Sequence, residues 1–80
     1  MSRRGKIELY IDILEAAQDR DRATHIANKA KTNYKQLQKS VEKLMDRGLL
    51  RFNEKSKLYE VTEHGKSLLK VWNKILEMLD

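Results

Sequence analysis

Leu44-Met45-Asp46-Arg47-Gly48-Leu49-Leu50-Arg51-Phe52-Asn53-Glu54-Lys55-Ser56-Lys57-Leu58-Tyr59-Glu60-Val61-Thr62 is the stretch that decides the fold. Leu37, Val41 and Leu44 lead into it at helical spacing, and Gly48 supplies the left-handed residue that commonly ends a helix. Beyond the glycine, residues 49–52 and 58–61 are short apolar and aromatic runs separated by the polar residues 53–57. That pattern predicts a β-hairpin with a basic tip. Thr62 followed by Glu63 then reads as an N-cap with an acidic first turn. Leu68, Leu69, Trp72, Ile75, Leu76 and Leu79 sustain the 3-to-4 spacing of a last helix over about 63–79.

Working back from Leu44, Asn33 is a good N-cap, and Gln36 stands at the capping-box spacing from it, so a helix is expected from beside Asn33 to about Arg47. Ile26, Ala27 and Ala30 predict a shorter helix before it, of about two turns. Ile7, Tyr10, Ile11, Leu14 and Ala17 form an apolar stripe of a first helix, with Glu8, Asp12 and Glu15 turned to solvent. The polar residues 18–22 carry no periodicity and break that helix from the next. The order is helix, helix, helix, hairpin, helix in a single domain spanning 1–80. Two helices joined by a tight polar turn and followed by a two-stranded hairpin make a winged helix-turn-helix, α+β and mostly α.

The net charge of +5 is unevenly placed. Residues 20–57 carry eleven basic side chains against four acidic ones, a net +7, while residues 1–19 and 58–80 each carry three against four, a net −1. A polyanion would therefore meet the middle of the chain. With Leu37, Val41 and Leu44 toward the core, the helical step turns Lys35, Lys39 and Lys43 outward on one stripe, flanked by Thr32, Gln36 and Gln38. Lysines neutralise phosphates, and glutamine can pair with an adenine edge. The stripe has no arginine, the usual guanine reader. At the hairpin tip, Lys55, Ser56 and Lys57 suit contact with a phosphate backbone.

Thr24-His25-Ile26-Ala27, Asn33-Tyr34-Lys35-Gln36-Leu37, Leu44-Met45-Asp46-Arg47-Gly48-Leu49-Leu50 and Tyr59-Glu60-Val61-Thr62-Glu63-His64-Gly65-Lys66-Ser67-Leu68-Leu69 resemble the small archaeal winged-helix regulators with an ArnR-like domain. The resemblance covers residues 6–79. It implies an archaeal or archaeal-virus DNA-binding protein, commonly dimeric, whose third helix lies in the major groove while the wing touches the backbone.

The last helix carries the second expectation. Leu68, Trp72, Ile75 and Leu79 follow a 4-3-4 spacing, with Leu69 and Leu76 beside them, wider than one thin domain obviously needs. A homodimer contact along this face is expected. Trp72 can equally be a core residue of its own protomer. Tyr34 is expected to pack against helix two rather than to contact a phosphate, and Tyr59 and Phe52 are expected in or near the core.

Other classes have little to stand on. There is no cysteine, and His25 and His64 lie far apart without metal-ligand spacing, so neither metal nor cofactor is expected. Asp12, Glu15 and Asp19 have no nucleophile or glycine loop near them, so no enzyme is expected. No apolar run is long enough to cross a bilayer, and Arg3, Arg4 and Lys6 are followed by Glu8 and Asp12 rather than by a signal-peptide core. The chain reads as soluble and cytoplasmic, without a membrane partner or a small-molecule ligand. The expected function is a sequence-specific regulator on double-stranded DNA. Two rivals are a chromatin-like architectural protein of low specificity, favoured by the arginine-free stripe, and a winged-helix protein-interaction module, favoured by the broad face of the last helix.

Overall fold

The computed structural model describes residues 5–80; Arg3 and Arg4, counted in the charge of the first segment, lie outside the described residues. Six elements follow in order: α1 (Lys6–Ala16), α2 (Ala23–Lys29), α3 (Tyr34–Asp46), β1 (Leu50–Asn53), β2 (Leu58–Val61) and α4 (Glu63–Leu79). The order and the four-helix, one-hairpin composition are those the periodicities predict.

The buried face of α1 is broader than the predicted stripe and begins later. Ile11, Leu14 and Ala17 are buried as expected, but so are Ile13 and Ala16, and Ile7 is 65% exposed. The reason is packing on several sides: α2, α3 and α4 all lie against α1. Ile26, Leu37, Val41 and Leu44 close the core from α2 and α3, and Leu50, Tyr59, Val61 and Leu69 close it from the hairpin and α4.

Helix ends are tied by named bonds. Asn33 Oδ1 accepts the Gln36 N–H at 2.7 Å, as the N-cap reading requires. The reciprocal half of the capping box is not among the described bonds, and the Gln36 carbonyl oxygen accepts from the Thr32 hydroxyl at 3.3 Å. At the end of α3, Gly48 adopts φ 72°, with Leu49 N–H bonded to the Leu44 carbonyl at 2.9 Å and Gly48 N–H to that of Met45 at 3.0 Å. This is a Schellman closure. The same closure ends α2, where Thr32 N–H reaches the Ala27 carbonyl at 2.9 Å and Lys31 takes the left-handed conformation at φ 55°. No glycine marks that second turn, and it is the tight turn between the two helices of the motif.

The hairpin is antiparallel, pairing Leu50 with Val61, Arg51 with Glu60, Phe52 with Tyr59 and Asn53 with Leu58. The polar residues 18–22, expected only as a break, do more. Asp21 and Tyr59 exchange both backbone hydrogen bonds, at 3.1 and 2.8 Å, so the connection between α1 and α2 forms a one-residue third strand against β2. On the outer face of that small sheet Glu60 is bonded to Arg51 and to Arg20, the latter at 3.1 Å.

Thr62 joins the ends of three elements. Its hydroxyl donates to the Gly48 carbonyl at 2.7 Å and accepts the Gly65 N–H at 3.0 Å, capping α4 against the turn that closes α3. Beyond Trp72 every residue of α4 is exposed, so its last two turns project from the body, and the molecule measures 40 × 29 × 20 Å. Among the described residues no helix is long and apolar enough to cross a membrane, and no cluster of side chains could hold a metal ion.

Candidate nucleic-acid interface

The lysines of α3 stand where the helical step puts them. Lys35, Lys39 and Lys43 are exposed, and none has an ion-pair partner among the described residues. This contrasts with other cations of the basic segment: Arg20 and Arg51 are held by Glu60, and Lys29 by Asp21 at 2.9 Å. Of these partners only Glu60 lies outside residues 20–57, so the segment keeps nearly all of its excess, and on α3 and the hairpin tip Lys35, Lys39, Lys43, Lys55 and Lys57 are exposed without a described ion pair. Charge also varies along α3. Lys35 stands in its first turn, whereas Lys39 and Lys43 both line a surface depression with Glu42 and Asp46 farther along. The cationic end of the helix is the end that helix-turn-helix proteins point at base edges.

The flanking polar residues are less free than their sequence suggests. Thr32 and Gln36 are bonded to each other, which occupies part of the Gln36 carbonyl. Gln38 is half-buried, with its side chain near the Tyr59 phenol. Burial pushes that phenol above its ordinary pKa, the neighbouring Tyr34 adds to the rise, and the Gln38 side chain works against it. Tyr59 therefore stays protonated at any physiological pH.

At the tip, Asn53 Oδ1 accepts the N–H groups of Lys55 at 2.9 Å and Ser56 at 3.1 Å, an Asx turn that fixes the loop. Lys57 stands at φ 62°, its N–H bonded to the Asn53 carbonyl at 2.8 Å. Lys55, Ser56 and Lys57 are all exposed.

Two aromatic side chains depart from expectation. Tyr34 is 57% exposed and Phe52 36% exposed, although both were expected in or near the core, and only Tyr59 is buried. Phe52 faces the same side of the hairpin as Leu50 but two residues farther from the body, where the core has ended; its ring lies 4.7 Å from that of Tyr59. Tyr34 sits in the first turn of α3, ahead of the buried Leu37. A second residue not anticipated is Lys6, which shares a groove with Tyr10, Gln36 and Lys39. Its sequence position in a near-neutral segment gave no sign of this; only the packing of α1 on α3 brings it there.

The projecting helix also differs in phase from the expected dimer seam. Leu68 and Trp72 are half-buried against their own core, while Ile75 and Leu79 are exposed, joined by Val71, Leu76 and Met78. The uncovered stripe is thus turned toward Val71 and Met78 and away from Trp72.

Residues 3–80 match the family model described as winged helix-turn-helix. No curated protein was found to match the chain. Among solved structures, Sso10a-2, a DNA-binding protein from Sulfolobus solfataricus, is similar at a TM-score of 0.82 and 28% identity, over 94% of this chain and 81% of that one. Fold, motif order and the Gly48 and Gly65 motifs lead to one assignment: the chain belongs to the winged helix-turn-helix family.

Proposed function

We propose that this chain is a cytoplasmic DNA-binding protein that acts as a transcriptional regulator, placing the first half of α3 in the major groove of duplex DNA and the hairpin tip on the backbone, as a homodimer joined through α4. The observation that carries the reading is the unpaired, exposed Lys35 and Lys39 on the leading half of α3, on a helix packed against a hairpin with a basic tip. The similarity to a DNA-binding protein of known structure supports it. In this reading Lys35 and Lys39 contact phosphates, Thr32, Gln36 and Gln38 border the groove, Lys43 contacts the backbone at the far end, and Lys55, Ser56 and Lys57 hold the adjacent strand. Ile75 and Leu79 form the dimer face together with Val71 and Met78, and Leu68 and Trp72, half-buried against their own core, border it.

A second reading, low-specificity architectural binding, is favoured by one observation: α3 carries lysines but no arginine, which weakens its reading of guanine relative to its contact with phosphate. The test is affinity for genomic and random duplex across a salt series, for wild type and for Lys35→Ala with Lys39→Ala. The double variant is expected to bind more weakly and to lose about two units of the log-log salt slope. Preference for genomic sequence favours the regulator, and equal binding favours the architectural role. No wild-type binding near physiological salt, or an unchanged variant, overturns DNA binding through α3.

A further inference from the structure

The groove between α1 and α3 differs in charge from other depressions of the surface. Lys6, Leu9 and Tyr10 line it from α1, and Gln36, Lys39 and Ser40 from α3. Both trios run at the i, i+3, i+4 spacing, so each helix gives one face to the groove. No carboxylate is in this lining. The depression farther along α3 includes Glu42 and Asp46, and the one beside β2 includes Glu60 and Glu63. Glu8, the acidic residue in the first turn of α1, follows Lys6 by two residues and so lies about 200° around the helix from it. Its carboxylate accepts the Gly5 N–H at 3.0 Å.

Lys6 and Lys39 are both exposed, and neither has an ion-pair partner among the described residues. Apart from Leu9, every lining side chain can donate a hydrogen bond. Gln36 accepts at its carbonyl from the Thr32 hydroxyl, and its amine takes part in no described bond. Ser40, 6% exposed, is the most buried member of the set. Two cations and several donors, with no anion of the protein's own among them, suit a phosphate group. The groove adjoins Gln36 and Lys39 on the flank of α3 where α1 packs. We infer that it seats a phosphate of the duplex backbone, with Lys6 as the contact, beside the phosphate that Lys39 holds. This rests on the DNA reading and adds α1 to the elements that meet DNA. A segment of net charge −1 thereby contributes a cation to the interface, because folding carries Lys6 to α3 and leaves Glu8 on another side.

The test measures duplex affinity across a salt series for wild type, for Lys6→Gln and for Lys70→Gln, a control with the same change of charge on α4. Both lysines are exposed, and an unchanged thermal midpoint checks that the variants fold. Lys6→Gln is expected to lose about one unit of log-log salt slope for each protomer bound, so the deficit of each contact shrinks about three- to fourfold between about 50 and 200 mM salt. Lys70→Gln should keep the wild-type slope. In the wild type, saturating duplex should slow acetylation of Lys6 by acetic anhydride and leave that of Lys70 unchanged. An undiminished slope in Lys6→Gln, an equal loss in Lys70→Gln, or a Lys6 acetylated at the same rate with and without duplex overturns the inference, while the DNA reading stands on Lys35 and Lys39. Inorganic phosphate probes the other source of the same chemistry. Saturable phosphate binding that Lys6→Gln abolishes, with the DNA slope unchanged, makes the groove a small-anion seat and overturns its assignment to the backbone. A wild type that binds no duplex overturns the DNA reading together with it.

Discussion

Gly65 and Gly48 are both required, for unlike reasons that a denaturation experiment separates. A Cβ on Gly65 would overlap the Leu49 carbonyl oxygen and stand 2.6 Å from Val61 Cγ1, because the first turn of α4 lies directly on the segment that leaves α3. Backbone on one side and a buried valine on the other leave little to yield. Gly48 has open space around its Cα but sits at φ 72°, where a side chain meets its own backbone. Gly65→Ala is therefore expected to cost about 3 kcal/mol or more, as overpacking against rigid atoms does. Gly48→Ala should cost about 1 kcal/mol, the left-handed penalty alone. Urea midpoints of the two variants check this; equal losses would show that the approach of α4 relaxes freely. Thr62 belongs to the same junction, since its hydroxyl serves the Gly48 carbonyl and the Gly65 N–H at once. The Tyr-x-Val-Thr-x-x-Gly passage is thus a description of one joint.

At the scale of elements, the one-residue strand at Asp21 links the polar connection to the hairpin, and its side chain carries a pH signature. The carboxylate accepts the Lys29 ammonium at 2.9 Å, faces His25 Nδ1 at 3.1 Å and accepts the Arg22 N–H at 2.8 Å. The Lys29 bond is the main cause holding its pKa below the ordinary carboxylate value; burial opposes this, and the Arg22 N–H and the charges of Lys29 and His25 add to the lowering. A carboxylate with a folded pKa below its unfolded one stabilises the fold fully above the unfolded value, near 4. That contribution is lost as pH falls through the lower folded value. Asp21→Asn is expected to cost under about 1 kcal/mol at pH 6, since Lys29 is half-exposed. It should flatten the fall in stability between pH 6 and pH 3. Urea midpoints at the two pH values measure this, and a parallel fall in both proteins would remove Asp21 from the acid response. The elements differ in how legible they are from sequence. Period-3.6 stripes and the Gly48 stop disclose α3, β1, β2 and α4 within a residue or so. Asp21 leaves no trace, because a single bridged residue has no alternation. The Lys31 turn is equally silent, since its left-handed residue is not glycine. Tyr34 and Phe52 are misplaced by sequence because an aromatic residue is a fair guide to the core only until the core ends, and composition does not say where it ends.

For the whole molecule, the decisive quantity is the apolar surface that one protomer leaves uncovered. Met78 and Leu79 are 78% and 80% exposed, and Val71, Ile75 and Leu76 lie between 42% and 57%, all on a helix whose last two turns project from the body. Val71, Ile75 and Met78 recur at the 4-3 spacing of a helix-pairing seam. The sequence foresaw the helix but not this phase, because Leu68, Trp72, Ile75 and Leu79 satisfy the same spacing, and only the packing of Trp72 on its own core separates the two seams. If a second copy covers the stripe, the protein is a dimer of 9.5 kDa chains whose thermal midpoint rises with concentration. Val71→Glu with Ile75→Glu should then give a folded monomer in sedimentation, because both side chains are exposed in the isolated protomer and their loss removes nothing from its core. The same pair of substitutions bears on DNA binding. A dimer presents two copies of α3 and of the hairpin tip, so it releases about twice the counterions of one protomer, and its salt slope should be about twice that of the monomeric variant. A wild type that sediments as a monomer, or a variant with an undiminished slope, would mean that each protomer meets DNA alone and that the stripe on α4 serves something other than its own copy.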